Sequence, residues 1–172
     1  MVAMLYSWLP SFMRNTGVMI ALACILFIIA AMLWRSIFAE SHRNRWIARH
    51  QDTNVMAEMH WHDFERLVVL VLKRWGYKVV QEGGRRADGG IDAIAYKNGQ
   101  AFMVQCKRYK TNVGVSVVRE MYGVMHDRAF AGVYIFTSSS FTRSSLAFAK
   151  DKPIKLVSGL LLARIIRDLD LH

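Results

Sequence analysis

The sequence predicts a mixed α/β domain, a central sheet flanked by helices, preceded by one transmembrane helix. Three observations predict it. Residues 15–34 run for 20 positions without a charge. Behind them, helical and strand-like hydrophobic spacings alternate along the chain. Two of the strand-like runs are joined by Asn98-Gly99, the dipeptide that suits a two-residue type I′ hairpin.

The composition fits this division. Of 172 residues 53% are hydrophobic, yet the formal net charge is +10. A lipid-soluble segment joined to a basic domain accounts for both. From Met56 onward 18 Lys and Arg face 11 Asp and Glu. Such a balance favours a polyanionic partner, and charge alone leaves nucleic acid and anionic lipid equally open. Cys24 lies in the apolar segment and Cys106 in a strand-like run, so a disulfide between them is not expected. Neither has a second Cys or a His at zinc-ligand spacing.

The uncharged stretch is long enough to cross ~30 Å of hydrocarbon. A cleaved signal peptide has a shorter apolar core followed by small residues, whereas here Trp34-Arg35-Ser36-Ile37-Phe38 follows. A helix buried in a soluble core would carry some polar edge over five turns. Arg35, Arg43, Arg45 and Arg49 come soon after the stretch and Arg14 before it. The positive-inside rule therefore places the C-terminal domain in the cytoplasm, on the inner face of a single-pass span. Tyr6, Trp8 and Trp34 are candidate interfacial anchors. The expected organisation is an N-terminal segment with the transmembrane helix (1–38), a basic juxtamembrane linker (39–55) and a domain (56–172).

Within the domain, Trp61, Phe64, Leu67, Val68, Val71, Leu72 and Trp75 recur with helical spacing, predicting one helix over residues 55–75 that Gly76 ends. A short strand follows at 77–80, then a glycine-rich loop at 82–90. Two strands are expected at 91–96 and 101–108, a helix near 115–128, and a strand at 132–137. A helix at 143–150 stops before Pro153; a short strand at 154–157 and an amphipathic helix at 160–169 complete the order.

The hairpin sets a register. With Asn98 and Gly99 as its loop, Lys97 faces Gln100 and Asp92 lies opposite Gln105. Gln105 and Lys107, two apart on one strand, share a face. Asp92, Gln105 and Lys107 thus converge, with side chains ~5 Å apart across the strands. The other face, with Ala93, Ala95, Phe102, Val104 and Cys106, suits a core. Phosphodiester hydrolysis needs a divalent metal and a cation that steadies developing charge, and this set can supply both requirements. A solvated strand face with ordinary polar residues remains the alternative on this hairpin alone.

Several blocks together go further. Trp61-His62-Asp63-Phe64-Glu65, Gly76-Tyr77, Asp88-Gly89-Gly90-Ile91-Asp92 and Val104-Gln105-Cys106-Lys107-Arg108-Tyr109 resemble, in order and spacing, the Mrr-type restriction-endonuclease catalytic domain of the PD-(D/E)xK superfamily. Thr137-Ser138-Ser139-Ser140-Phe141-Thr142 is similar to that family's later strand-to-helix turn. The resemblance covers roughly residues 59–168 and implies a restriction-endonuclease-like fold. It also implies a Mg²⁺-dependent deoxyribonuclease, like a type IV restriction enzyme, in which Mn²⁺ substitutes for Mg²⁺. Asp92 matches the metal-binding aspartate and Gln105 the (D/E) position, offering a neutral oxygen. Cys106 lends its backbone carbonyl to the metal, Lys107 matches the catalytic lysine, and Glu65 matches the first-helix acid. Two positions depart from the pattern: Ser139 stands where glycine is frequent, and Ser158 where an aspartate often precedes the glycine.

Arg85, Arg86, Arg108 and Lys110 flank the site and are the candidates for sequence-independent phosphate contacts with double-stranded DNA. The expected function is metal-dependent endonuclease cleavage at the membrane, in restriction of foreign or modified DNA. Membrane lipid is expected around the N-terminal helix, and a homodimer is left open. The competing readings are a nuclease fold that grips DNA with little turnover, and a basic domain that docks on anionic lipid.

Overall fold

The computed structural model describes residues 16–49, 52–81 and 90–170. The chain divides into two compact units, Met1–Arg45 and Trp46–His172. Helix α1, Thr16–Arg49, is the described part of the first and extends past its boundary. Within it Val18–Ala39 has a mean hydropathy of 2.5, and none of its most apolar stretch is buried against protein. The helix is long and apolar enough to cross a membrane, and an apolar surface open all round is not that of a soluble-core helix. The apolar run extends five residues beyond the expected 15–34, through Arg35. The stretch expected as a linker continues the same helix as far as Arg49. Tyr6, Trp8 and Arg14 fall outside the described residues.

The second unit follows the expected order with one difference. The helix expected over 55–75 is two helices, α2 at Thr53–Glu58 and α3 at Trp61–Arg74. Met59 and His60 between them are extended, and His60 Nδ1 accepts a hydrogen bond from His62 N at 3.3 Å, capping α3. The break turns α2 so that Met56 is fully buried in the core. It leaves Trp61, expected on the buried face, 54% exposed at the first position of α3. Helical spacing cannot register such a break, because the apolar positions on either side still fit one period.

Strands β1 (Lys78–Gln81), β2 (Ala93–Lys97) and β3 (Gln100–Lys107) form an antiparallel meander. The β2–β3 register pairs Lys97 with Gln100 and Ala93 with Val104, as the Asn98-Gly99 turn requires. Both turn residues have positive φ, 51° and 75°, the type I′ geometry. After β3 the chain passes through α4 (Val115–Asp127) to β4 (Gly132–Thr137), then through α5 (Arg143–Ala149) to β5 (Ile154–Val157). Both β4 and β5 add in parallel, giving the order β1-β2-β3-β4-β5.

Helices cover both sides of this sheet. Helix α3 and the last helix, α6 (Gly159–Asp170), pack on the face of Ala93, Ala95, Val104 and Phe136. Helices α4 and α5 pack on the face of Met103, Val133 and Ile135. The second of these is the face that carries Gln105, so it is not the solvated surface that one reading of the hairpin allowed.

Two helix ends show how backbone chemistry sets the chain's path. At the end of α3, Gly76 has φ +80°, Tyr77 N donates to Leu72 O, and Gly76 N donates to Lys73 O. This is the Schellman arrangement, in which glycine carries the left-handed residue without steric cost. Helix α4 ends in the same way, with Phe130 N donating to Met125 O and Ala129 N to His126 O, but its left-handed residue is Ala129 at φ 53°. Gly76→Ala should cost about 1–2 kcal/mol. Ala129→Gly should stabilise by about 0.5–1 kcal/mol. Thermal unfolding of the two variants in detergent checks the pair: the shifts should have opposite signs.

Candidate active site

The antiparallel β2–β3 pair brings the residue just before β2 beside the last turn of β3. Asp92 N donates to Val104 O at 3.1 Å, which ends the ladder and turns the Asp92 carboxylate across the strand. Its Oδ2 accepts from Cys106 N at 2.6 Å and from Gln105 Nε2 at 2.7 Å. Gln105 Nε2 also lies 3.5 Å from Cys106 O. One amide nitrogen thus bridges a carboxylate oxygen and a backbone carbonyl oxygen. Gln105 is only 3% exposed, and its Oε1 is buried without a hydrogen-bond partner among the described residues. Gly90, at φ +80°, closes over that oxygen; a Cβ there would stand 3.0 Å from it. Any side chain at 90 would crowd the amide.

Burial raises the Asp92 carboxyl above the usual aspartate range, opposed by the Cys106 N–H bond and the charge of Lys107. Glu65, half-buried on α3, is also raised, by burial first and then by repulsion from Asp92. Burial pushes the Cys106 thiol well up, and the negative charges of Asp92 and Glu65 add to this, so the thiol stays protonated. A neutral thiol fits a residue that contributes its backbone rather than its sulfur.

Lys107 closes β3. Its carbonyl accepts from Thr137 Oγ1 at 2.8 Å and from Tyr109 N at 2.9 Å, and its Nζ lies 6.0 Å from the centre of the Tyr109 ring. Thr137 is fully buried, so the parallel β3–β4 pairing fixes the lysine backbone through a hydroxyl. Neither Thr137 nor Tyr109 stands out in the sequence as a site residue. Only the pairing of β4 beside β3 reveals their position.

Asp92, Gln105 and Cys106 are therefore in direct hydrogen-bond contact, with Lys107 and Glu65 within electrostatic reach. The other candidates lie elsewhere. Arg108 is half-buried, and its Nη1 donates to Ala57 O at 3.0 Å, which ties β3 to α2. Lys110 forms an exposed ion pair with Glu58 at 2.8 Å. Arg85, Arg86 and Asp88 lie outside the described residues.

Among the described residues no three His, Cys, Asp or Glu side chains cluster as a metal site. The oxygens brought together here are of other kinds: a carboxylate, a backbone carbonyl and an amide. They fit a hard divalent cation, which takes oxygen ligands. The bridging Nε2 holds the two oxygens as a cation would, and half a turn of the amide torsion would bring the unpartnered Oε1 to the same place.

No curated protein matches the sequence. Among solved structures, the DNA modification-dependent restriction endonuclease AspBHI matches at 15% identity with a TM-score of 0.55, covering 73% of this chain and 35% of AspBHI. The MspJI restriction endonuclease, solved in complex with a 27-mer oligonucleotide, matches at 22% identity and a TM-score of 0.43, over 75% of this chain and 31% of MspJI. A protein of unknown function, AF1548, matches at 21% identity and a TM-score of 0.47, over 55% of each chain. The chain thus spans about half the length of AF1548 and about a third of the two endonucleases. At these identities the AspBHI likeness establishes the fold, a restriction-endonuclease-like mixed sheet flanked by helices. The family model Mrr_cat, described as restriction endonuclease, matches residues 56–166. That match takes in every element from Met56 to Ile166, including the whole sheet and the Asp92–Lys107 cluster, and the chain therefore belongs to the Mrr_cat restriction endonuclease family.

Proposed function

We propose that this protein is a membrane-anchored, metal-dependent DNA endonuclease that hydrolyses phosphodiester bonds in double-stranded DNA. The observation that carries the reading is the Gln105 amide, whose nitrogen bridges Asp92 Oδ2 and Cys106 O while its own oxygen is buried and unpartnered. A buried acceptor without a partner costs about 1–3 kcal/mol. Two carboxyls held above their usual range add to the cost. A cation would offset the cost of gathering the Asp92 and Glu65 carboxylates and would give the Gln105 oxygen a partner. Restriction-endonuclease domains generally use divalent metals; Mg²⁺ is the proposed ion here, with Mn²⁺ as a substitute.

The residues divide the work. Asp92, Gln105 Oε1 after rotation and the Cys106 carbonyl would hold the cation, and Glu65 would add negative charge that the neutral Gln105 does not supply. A bound divalent ion polarises the phosphate and lowers the pKa of water. Lys107 places a positive charge where the attacked phosphate arrives, steadying the charge that develops as the water oxygen bonds to phosphorus and the P–O ester bond breaks. Thr137 holds the Lys107 backbone in place. The +10 net charge favours the approach of DNA. Arg85, Arg86, Arg108 and Lys110 remain the proposed phosphate contacts, the last two through N–H donors beyond those given to Ala57 O and Glu58. AspBHI, which shares the fold, is named as modification-dependent, and restriction of foreign or modified DNA is the proposed role.

The apolar surface of α1 and the arginines that follow support an anchor in the cytoplasmic membrane with the nuclease domain inside. A reporter fused after His172 should be active only if it works in the cytoplasm; activity on the far side would reverse the orientation.

Cleavage tests the site. Incubated with supercoiled plasmid, the full chain should nick or cut only with Mg²⁺ or Mn²⁺ present. Lys107→Ala should lower the rate at least a hundredfold with little change in DNA affinity, since it removes one cation among many. Gln105→Glu should keep activity or tighten metal binding, whereas Gln105→Leu should abolish both. Wild-type protein that binds DNA but never cuts would replace the enzyme with a DNA-binding module.

Metal affinity should also depend on pH in a defined direction. Protons compete with the cation for Asp92 and Glu65, and both carboxyls are held high. Metal binding should therefore weaken as pH falls and begin to do so above the ordinary carboxylate range. Without metal the sign reverses: the folded state binds these protons more tightly than the unfolded chain, so their contribution to stability shrinks as pH rises through the raised pKa values. Melting temperatures measured against pH, with Mg²⁺ and with chelator, should show these opposite slopes, and Asp92→Asn should remove the Mg²⁺-dependent increase.

A further inference from the structure

A second polar feature lies at the same end of the sheet. Beyond the carboxyl ends of β3 and β4 is a cleft of about 470 Å³, lined from α2, the β3–α4 loop, the β4–α5 turn and the start of α6. That volume falls within the ~300–1,000 Å³ of small-ligand sites, and ligands favour the carboxyl ends of parallel strands. The walls are braced. Ser138 Oγ donates to Tyr109 O at 3.1 Å, Ser139 Oγ to Thr111 O at 2.7 Å, and Val113 N to Ser140 O at 2.8 Å.

Besides Leu160 and the Thr53 hydroxyl, the groups facing the cleft are of three kinds. Tyr109 presents a ring that is 41% exposed. Asn54 and Asn112 present side-chain amides that carry no hydrogen bond among the described residues. Lys110 supplies a cation, balanced by Glu58 on the same wall. An aromatic face with amide donors and acceptors around it matches a nucleobase, whose face stacks and whose edge forms hydrogen bonds. A phosphate alone would accept from the amide nitrogens and Lys110 but would leave the ring face and the amide oxygens without a partner. The link to the reaction is direct, because the Tyr109 ring centre is 6.0 Å from Lys107 Nζ.

We propose that this cleft receives one unpaired nucleotide of the DNA, its base stacked on Tyr109 and its edge bonded by Asn54 and Asn112, next to the phosphate at Lys107. The inference rests on the endonuclease reading and adds a substrate preference to it. In a paired duplex the base faces are covered by neighbours and the pairing edges are occupied. Only a nucleotide out of the stack can fill the cleft, and one already unpaired does so without the cost of extrusion. The protein therefore prefers DNA with an unpaired position at the cut.

Affinity measurements on the full chain in detergent, with a metal chelator present to prevent cleavage, test this. One duplex carries a single bulged 2-aminopurine; the other has the same sequence with that base paired. The bulged duplex should bind about tenfold more tightly, the scale of one stacked base, and its fluorescence should change on binding. Tyr109→Ala combined with Asn112→Ala should remove the preference while leaving affinity for the paired duplex within about twofold. Tyr109→Phe, which keeps the ring, should retain it. Equal binding of the two duplexes, or a preference that survives the double substitution, would overturn the cleft assignment while leaving the endonuclease reading intact. Failure to bind either duplex would overturn the cleft assignment, and if supercoiled plasmid also stays uncut with Mg²⁺ it would overturn both.

Discussion

Strand β3 is paired on both edges, antiparallel to β2 and parallel to β4, and helices cover both of its faces. The rest of the domain depends on this double pairing. The antiparallel side delivers Asp92 to the end of the strand, and the parallel side delivers Thr137 to the backbone of Lys107. Burial on both faces excludes water from Gln105, so its amide must find partners in the protein. Asp92 satisfies the nitrogen. The oxygen has no partner among the described residues, a condition that Arg108 Nε shares close by.

The electrostatics follow from the same placement. Asp92, just before β2, and Glu65, on α3, both reach the end of β3, and each is held above its usual range mainly by burial. Two partly buried acids in mutual repulsion are poorly arranged for stability and well arranged to receive a cation. Lys107 opposes them from the strand itself, and the Tyr109 ring beyond it connects the cluster to the polar cleft. The proposed catalytic and nucleotide sites thus share one end of one sheet, where β3 pairs with β4.

Helix α1 has different physics. Its apolar side chains face outward along its length, whereas the domain buries its own in two clusters on either side of the sheet. The chain's hydrophobic average and its high positive charge describe neither unit alone. In the proposed function, the arginines immediately after the apolar run set topology, and the lysines and arginines spread over the domain meet a polyanionic partner.

The order of elements was legible in the sequence because it rests on local rules. Asn98-Gly99 sets a turn, the turn sets the register, and the register sets Asp92 against Gln105 before any tertiary contact is known. Gly76 ends α3 for an equally local reason. The family blocks from Trp61 to Phe141 added the roles, which spacing alone does not carry. What remained hidden depends on contacts distant along the chain. The break at Met59 and His60 exists so that α2 can bury Met56 against the core, and helical periodicity is blind to it. The hairpin alone favours a solvated strand face for Gln105, because burial depends on α4 and α5 arriving from residues 115–149. Arg108 read as a phosphate contact, and only the fold shows its guanidinium donating to Ala57, 51 residues away. Local backbone preference, acting over a few residues, is written in the sequence. Which polar groups lose water, and which partner each then finds, is decided when distant segments pack together.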